Sequence, residues 1–308
     1  MIVVVCPGQG SQTPGFLTPW LELDGFAASI SAQQTASGID LVGFGTTADA
    51  DTIRDTAVAQ PLIVAAGVAT LAELLGGKTL ASAGIDGVAG HSVGEITAAV
   101  AAGVFTPDTG IQFVRERGNA MAKAAALETT SMAAVLGGDQ AVVEARLAEL
   151  GLEPANYNGG GQIVAAGSAE GIAALQAQPA AGTRVIPLQV AGAFHTRYMA
   201  PAVDTLASYA QSIGVADPSV KLWSNNGGRL VTSGADFVTL LVSQVKSPVR
   251  WDLTMAALVE AGVTAIIEVA PAGTLVGLAK RSMPGVETLA IKTPDQLEAA
   301  RTLISNHA

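Results

Sequence analysis

The segment 87–103 constrains the fold of this chain more than any other. A short apolar run from Gly87 to Gly90 passes through Gly90-His91-Ser92-Val93-Gly94 into an Ala-rich stretch over 95–103. That pattern reads as a strand, a sharp turn and a helix. Glycines at both ends of the turn let backbone segments approach closely. Ser92 is pushed into the open, where N–H groups at the helix start can hold an oxyanion. Ile2–Cys6 is likewise apolar and reads as a first strand. A long apolar helix is expected over 57–75. Thr106-Pro107-Asp108 starts another that runs to about 126, with Pro in its first turn and Asp complementing the dipole. Strands alternating with helices predict an α/β fold, a hydrolase-like core with a mainly parallel sheet.

The middle of the chain reads differently. A strand over 132–136 and an amphipathic helix over 139–150 come first. Strands over 153–158 and 162–167 follow, joined by Gly159-Gly160-Gly161, then a helix over 169–178 and a strand over 184–188. This β-α-β-β-α-β order is that of a ferredoxin-like unit. It predicts a small subdomain at 128–192 inserted into a large core made of 1–127 and 193–308. The α/β pattern then resumes with a helix over 199–213, a strand over 221–224, helices over 235–244 and 253–261, and a strand over 265–269.

Composition removes several classes of function. The chain is 49% hydrophobic and only 14% charged, which excludes a disordered polymer. Its net charge of −10 argues against nucleic acid as a partner, because phosphate backbones need a basic face. No uninterrupted apolar run reaches the ~18 residues of a membrane span, and the start lacks the basic region of a signal peptide. The single cysteine, Cys6, lies in the apolar first strand, so it is expected to be inert core and the compartment a reducing cytoplasm.

Four features carry chemistry. Ser92, in its strand-turn-helix context, is a candidate nucleophile. Pro7-Gly8-Gln9-Gly10-Ser11-Gln12 follows the first strand; Thr13 stands where a dinucleotide fingerprint needs its third Gly, and no P-loop Lys follows. A Gly-flanked Gln9 at that strand end can instead offer a backbone N–H to a reacting carbonyl. His195 is the natural general base, since His307 is near the terminus and the side chain of His91 points away from its neighbour Ser92. The competing reading of His195 is a structural loop histidine. No acid presents itself as a third triad member, which leaves a backbone carbonyl to orient the imidazole. Arg117 shares the apolar stripe of its helix with Phe113 and Met121, while Arg115 faces about 160° away. A guanidinium there needs an anionic partner. A substrate carboxylate, a distant Asp or Glu, and a snorkelling surface position are all open to it.

Taken together, PGQGSQ, GHSVGE, Arg117-Gly118, GAFHTRYMAPA and SPVRW, in that order from residue 7 to 251, resemble the malonyl-CoA:acyl carrier protein transacylases of type II fatty acid synthesis. The β-α-β-β-α-β insertion fits that family as well. The resemblance implies Ser92 as nucleophile, His195 as base, and the N–H groups of Gln9 and Val93 as the oxyanion hole. It implies Arg117 on the malonyl carboxylate and the Gln244 main-chain carbonyl on His195. Phe194 would restrict branched acyl chains; Met121 and His91 complete the expected substrate-binding set. Malonyl-CoA and acyl carrier protein are the implied partners of a free-standing monomer that serves fatty acid and polyketide synthesis. No cofactor or metal of its own is implied, the phosphopantetheine being carried by the partner. Because the carrier is acidic, docking needs a local basic patch, drawn from Arg184, Arg197, Lys246, Arg250, Lys280 and Arg281. The rival reading is a serine hydrolase of carboxylated esters or thioesters.

Overall fold

The computed structural model describes residues 1–190 and 192–307. Its strands are β1 (Ile2–Cys6), β2 (Gly87–Gly90), β3 (Thr130–Gly137), β4 (Glu153–Gly159), β5 (Gln162–Ser168), β6 (Thr183–Leu188), β7 (Lys221–Trp223), β8 (Leu230–Val231), β9 (Val249–Arg250), β10 (Ala265–Glu268) and β11 (Glu287–Ala290). They form two sheets. The larger has the order β11-β10-β1-β2-β7-β8 and is parallel except for the β7–β8 edge. In β1 every residue is buried. Ile2, Val4 and Cys6 join the apolar cluster on one face of the sheet, and Val3 and Val5 join the cluster on the other. A strand covered on both faces must be apolar throughout, which is why β1 shows no alternation.

The smaller sheet has the order β6-β3-β5-β4-β9. Its first four strands are antiparallel, with helices Gln140–Glu149 and Ala169–Ala177 between them in sequence. This is the expected β-α-β-β-α-β unit with a small core of its own around Val135, Leu147 and Leu175. The fifth strand comes from outside it: β9 lies parallel to β4, pairing Asn156 with Val249 and Tyr157 with Arg250. The SPVRW segment therefore stitches the two sheets together.

Helix Thr56–Leu75 begins at Asp55, whose side chain accepts from the Ala57 N–H, and stops at Gly76 in the left-handed region (φ 54°). Although Gln60, Thr70 and Glu73 interrupt its apolar run, this helix is long and apolar enough to cross a membrane by length and composition. The fold uses it as a core helix, with 78% of that stretch buried. The helix expected over 199–213 is shorter, Ala200–Ala210, because Pro201 fixes its first turn and the Ser212 hydroxyl folds back on the Tyr209 carbonyl. Helices Asp24–Ser37, Leu41–Thr46, Thr274–Ser282 and Leu297–His307, together with β11, extend the expected pattern.

Candidate active site

The passage from β2 into helix Gly94–Ala101 depends on its two glycines. A Cβ on Gly90 would lie 2.1 Å from the Gly94 carbonyl carbon, and one on Gly94 would lie 2.1 Å from the Cys6 carbonyl oxygen. The turn thus packs directly onto the end of β1. Ser92 sits at its crest with φ 54°, a left-handed conformation unusual for a residue with a side chain. Asn225 holds it there: its Oδ1 accepts from the Ser92 N–H at 2.8 Å, and its Nδ2 donates to the Gly90 carbonyl at 2.7 Å.

His195 approaches from the loop after β6, also at positive φ (62°). Its Nε2 lies 2.7 Å from Ser92 Oγ, and its Nδ1 lies 2.9 Å from the Gln244 carbonyl oxygen. A carbonyl can only accept, so Nδ1 carries the proton and Nε2 is free to accept from the Ser92 hydroxyl. Burial, and then the nearby Arg117 charge, lower the imidazole pKa to about 3, so the ring is neutral at ordinary pH. The sign for stability follows. Unfolded histidine titrates near 6.5. The native state therefore resists a proton that the unfolded state accepts, and stability falls as pH drops from about 6.5 toward 3. Denaturant unfolding at pH 7 and pH 5 should show a loss from this group of at most about 1.4 kcal/mol per pH unit. That loss should vanish in His195→Gln; an identical acid loss in both proteins would assign it to other groups.

The serine borders a cavity of about 270 Å³. One wall comes from Gln9 and Val93, after strands β1 and β2 of the large sheet, from Met121 on helix Pro107–Ala125, and from Phe194 in the loop after β6. The others come from the small sheet, including Met132 and Asn158, and from Leu275 and Leu278 of helix Thr274–Ser282. Among the described residues, the backbone N–H groups of Gln9 and Val93 have no hydrogen-bond partner. The Gln9 side chain turns aside to the Arg54 carbonyl and the Thr56 hydroxyl, which fixes the loop. The His91 ring makes its contacts with the small sheet and with Trp251. Its Nε2 meets Asn158 Oδ1 at 2.9 Å, and its edge packs on Trp251.

Arg117 is 1% exposed. Its Nη1 donates to Gln60 Oε1 at 2.6 Å and its Nη2 to Gln244 Oε1 at 2.9 Å, with Ser92 Oγ 3.4 Å from the same Nη2. Its Nε is buried without a partner among the described residues. Of the three readings open from the sequence, the snorkelling one is excluded by burial. Among the described residues no carboxylate is hydrogen-bonded to the guanidinium; Glu95, also buried, acts on it through charge and favours its charged form, while burial pushes the pKa of Glu95 itself up to about 8. The Nε/Nη2 edge beside the serine is therefore suited to a carboxylate that arrives with a substrate.

The geometry brings together Ser92, His195, Gln9, Val93, Gln244, Arg117, Met121 and Phe194, with His91 lining the same cavity. It adds Asn225, Gln60 and Asn158, which the motifs do not mark, and Glu95, which closes GHSVGE without a role assigned to it. Glu95 could have been noticed as an acid in the first turn of an otherwise apolar helix, and Asn225 as a polar residue just past a strand end. Of the basic side chains named for docking, Arg197 pairs with Glu153 and Arg250 with Asp252, while Arg281 reaches toward Gln162. Cys6 is fully buried, and burial together with the Glu268 charge pushes its thiol up, as an inert core residue requires.

A serine on a tight turn after a parallel strand, hydrogen-bonded to a neutral imidazole and bordering a cavity also lined by Gln9 and Val93, defines a serine acyl-transfer centre on an α/β fold. Comparison with known proteins agrees. The acyl transferase domain model matches residues 3–293. The malonyl CoA-acyl carrier protein transacylase of Mycobacterium tuberculosis is 51% identical over 303 residues, covering 98% of this chain and 100% of that protein. The crystal structure of MCAT from Mycobacterium tuberculosis superposes with a TM-score of 0.94 at 52% identity, over 98% of this chain and 99% of that one. A malonyl-transacylase solved in complex with its type II PKS acyl-carrier protein superposes with a TM-score of 0.89 at 29% identity, over 98% and 99% of the two chains. The chain belongs to the malonyl CoA-acyl carrier protein transacylases of the acyl transferase family.

Proposed function

We infer that this protein transfers the malonyl group of malonyl-CoA to the phosphopantetheine thiol of acyl carrier protein, through a malonyl ester on Ser92. It thereby supplies fatty acid synthesis. The observation that carries the choice of acyl group is the Arg117 guanidinium, buried beside Ser92 Oγ with its Nε unpartnered. A malonyl carboxylate fits that edge, and an acetyl group leaves it empty.

The chemistry follows from the contacts. His195 Nε2 takes the Ser92 proton as Oγ attacks the thioester carbonyl carbon. The Gln9 and Val93 N–H groups receive the oxyanion. As the tetrahedral adduct collapses, the C–S bond breaks and the imidazolium returns its proton to the departing CoA sulfur. The carrier thiol then repeats the sequence in reverse on the malonyl ester. Met121 and Phe194 line the acyl space, and His91, through Asn158, ties the turn to the small sheet. We assign 128–192 as the subdomain that closes this space over the 1–127 and 193–308 core. Exposed large apolar side chains such as Leu127, Val142 and Val259 lie on different elements, which is consistent with a monomer, and the buried lone thiol suits the cytoplasm. Service to a polyketide carrier is a second reading, favoured by the likeness to the malonyl-transacylase complex above.

Intact-mass measurement after mixing with malonyl-CoA or acetyl-CoA, with no carrier present, tests the reading. A malonyl adduct with little acetyl adduct is expected. CoA release without an adduct would make the protein a hydrolase instead.

A further inference from the structure

A buried carboxylate lies one residue past the GHSVG turn and takes no part in the steps above. Glu95 is 1% exposed, in the first turn of helix Gly94–Ala101. Among the described residues it meets donors: the Asn225 N–H at 2.6 Å on one oxygen and the Gln244 side-chain amide on the other. The remaining contacts of that amide are just as one-sided. Its Nε2 also faces the Ser92 carbonyl at 3.3 Å and Asn225 Oδ1 at 3.5 Å, both acceptors. Its Oε1 faces Arg117 Nη2, a donor that can never accept.

We propose that Glu95 is a positioning residue for acyl-group selection: by accepting from the Gln244 amide, it fixes that amide with its oxygen on Arg117 and so aims the guanidinium at the acyl group. The inference rests on the reading that Arg117 receives the malonyl carboxylate. Burial pushes the Glu95 pKa up to about 8, but the partners its oxygens meet are donors, so those oxygens act as acceptors. A flipped Gln244 would set Nε2 against the guanidinium and Oε1 against the acceptors Glu95, the Ser92 carbonyl and Asn225 Oδ1, unfavourable contacts in a buried site. Gln244 thus serves both partners of Ser92. Its main-chain carbonyl holds His195, and its side chain, held by Glu95, holds Arg117. Because the carbonyl contact belongs to the backbone, disturbing Glu95 should touch selection more than basicity.

Glu95→Gln tests this with almost no change of shape. The new amide oxygen can still accept from Asn225, which leaves its NH₂ facing the Gln244 NH₂. Gln244 then loses the acceptor that held its NH₂; it either flips, placing a donor against Arg117, or withdraws, and both take its oxygen off the guanidinium. Acylation by malonyl-CoA and by acetyl-CoA would be followed separately by stopped-time intact mass. In Glu95→Gln, the malonyl preference should fall on the order of tenfold or more, through a raised KM for malonyl-CoA, while the acetyl rate changes less than about twofold. Gln244→Leu should lower the preference similarly, and the double variant should be no worse than either single one, since both act through one contact. A merely structural Glu95 would slow both donors alike and give additive losses, which would overturn the proposal. If Glu95→Gln does not fold, Glu95→Asp decides: it keeps the carboxylate but withdraws it from Gln244, so malonyl preference must drop while acetyl acylation holds. Wild-type protein without malonyl preference would refute the underlying reading. Wild-type preference retained in the Glu95 variants would refute this inference alone.

Discussion

Ser92→Ala is expected to form no adduct with malonyl-CoA and to lose transfer to the carrier by roughly 10⁴- to 10⁶-fold, the scale on which serine enzymes fall when the nucleophile is removed. The geometry leaves little room for a substitute. Among the described residues, Ser92 Oγ is the hydroxyl within hydrogen-bond distance of His195 Nε2. Gln9 and Val93, whose backbone N–H groups have no partner among the described residues, line the same cavity. Without Oγ, those groups can still polarise a bound thioester, so slow hydrolysis by water is the residual activity to look for. CoA release monitored beside intact mass separates the two outcomes. A persistent adduct in Ser92→Ala would place the nucleophile elsewhere and sink the assignment.

Arg117→Ala should erase the preference for malonyl over acetyl donors, by about 10- to 150-fold, the worth of a charge-assisted pair of about 1.5–3 kcal/mol. Arg117→Lys should recover only part of it, because an ammonium is a point charge without the planar fork of the Nε/Nη2 edge. Removal of the positive charge should also raise the His195 pKa, since Arg117 is the second cause of its depression after burial. The acid limb of acetyl acylation should therefore move to higher pH in Arg117→Ala. Competition between the two CoA esters at fixed total concentration measures the preference directly. An unchanged ratio in Arg117→Ala would show that the carboxylate is read by another group.

What the sequence made legible was local. Gly90 and Gly94 announce the turn because a Cβ at either position would collide with backbone, and that constraint is written in neighbouring residues. The parallel sheet was legible because β1 is apolar throughout, as burial on both faces demands. The small sheet was legible because its strand and helix periods alternate within some sixty residues, roughly the length of one such unit. The polar bed beneath Ser92 was not. Glu95 and Asn225 are far apart in the chain and meet because β2 and β7 lie side by side with their carboxyl ends together, and Gln244 joins them from the end of helix Gly234–Gln244. No spacing rule encodes that meeting. Helix Asp24–Ser37 was obscure for a different reason: two of the residues on its buried face are Gln33 and Ser37, which break the apolar period. The parallel β4–β9 pairing, two residues long, carries no periodic signal at all.

The left-handed backbone at Ser92 and His195 sets stability against activity. Each residue carries a side chain in a region where glycine alone is at ease, at a cost on the order of 1–2 kcal/mol. Both positions would relax if the side chain were deleted, and both would then be chemically dead. Selection for heat resistance without selection for acyl transfer would therefore drift toward glycine at the two places the reaction cannot spare. Thermostable forms that still work must gain their margin elsewhere, in the apolar clusters that flank the large sheet, and keep these two turns under tension.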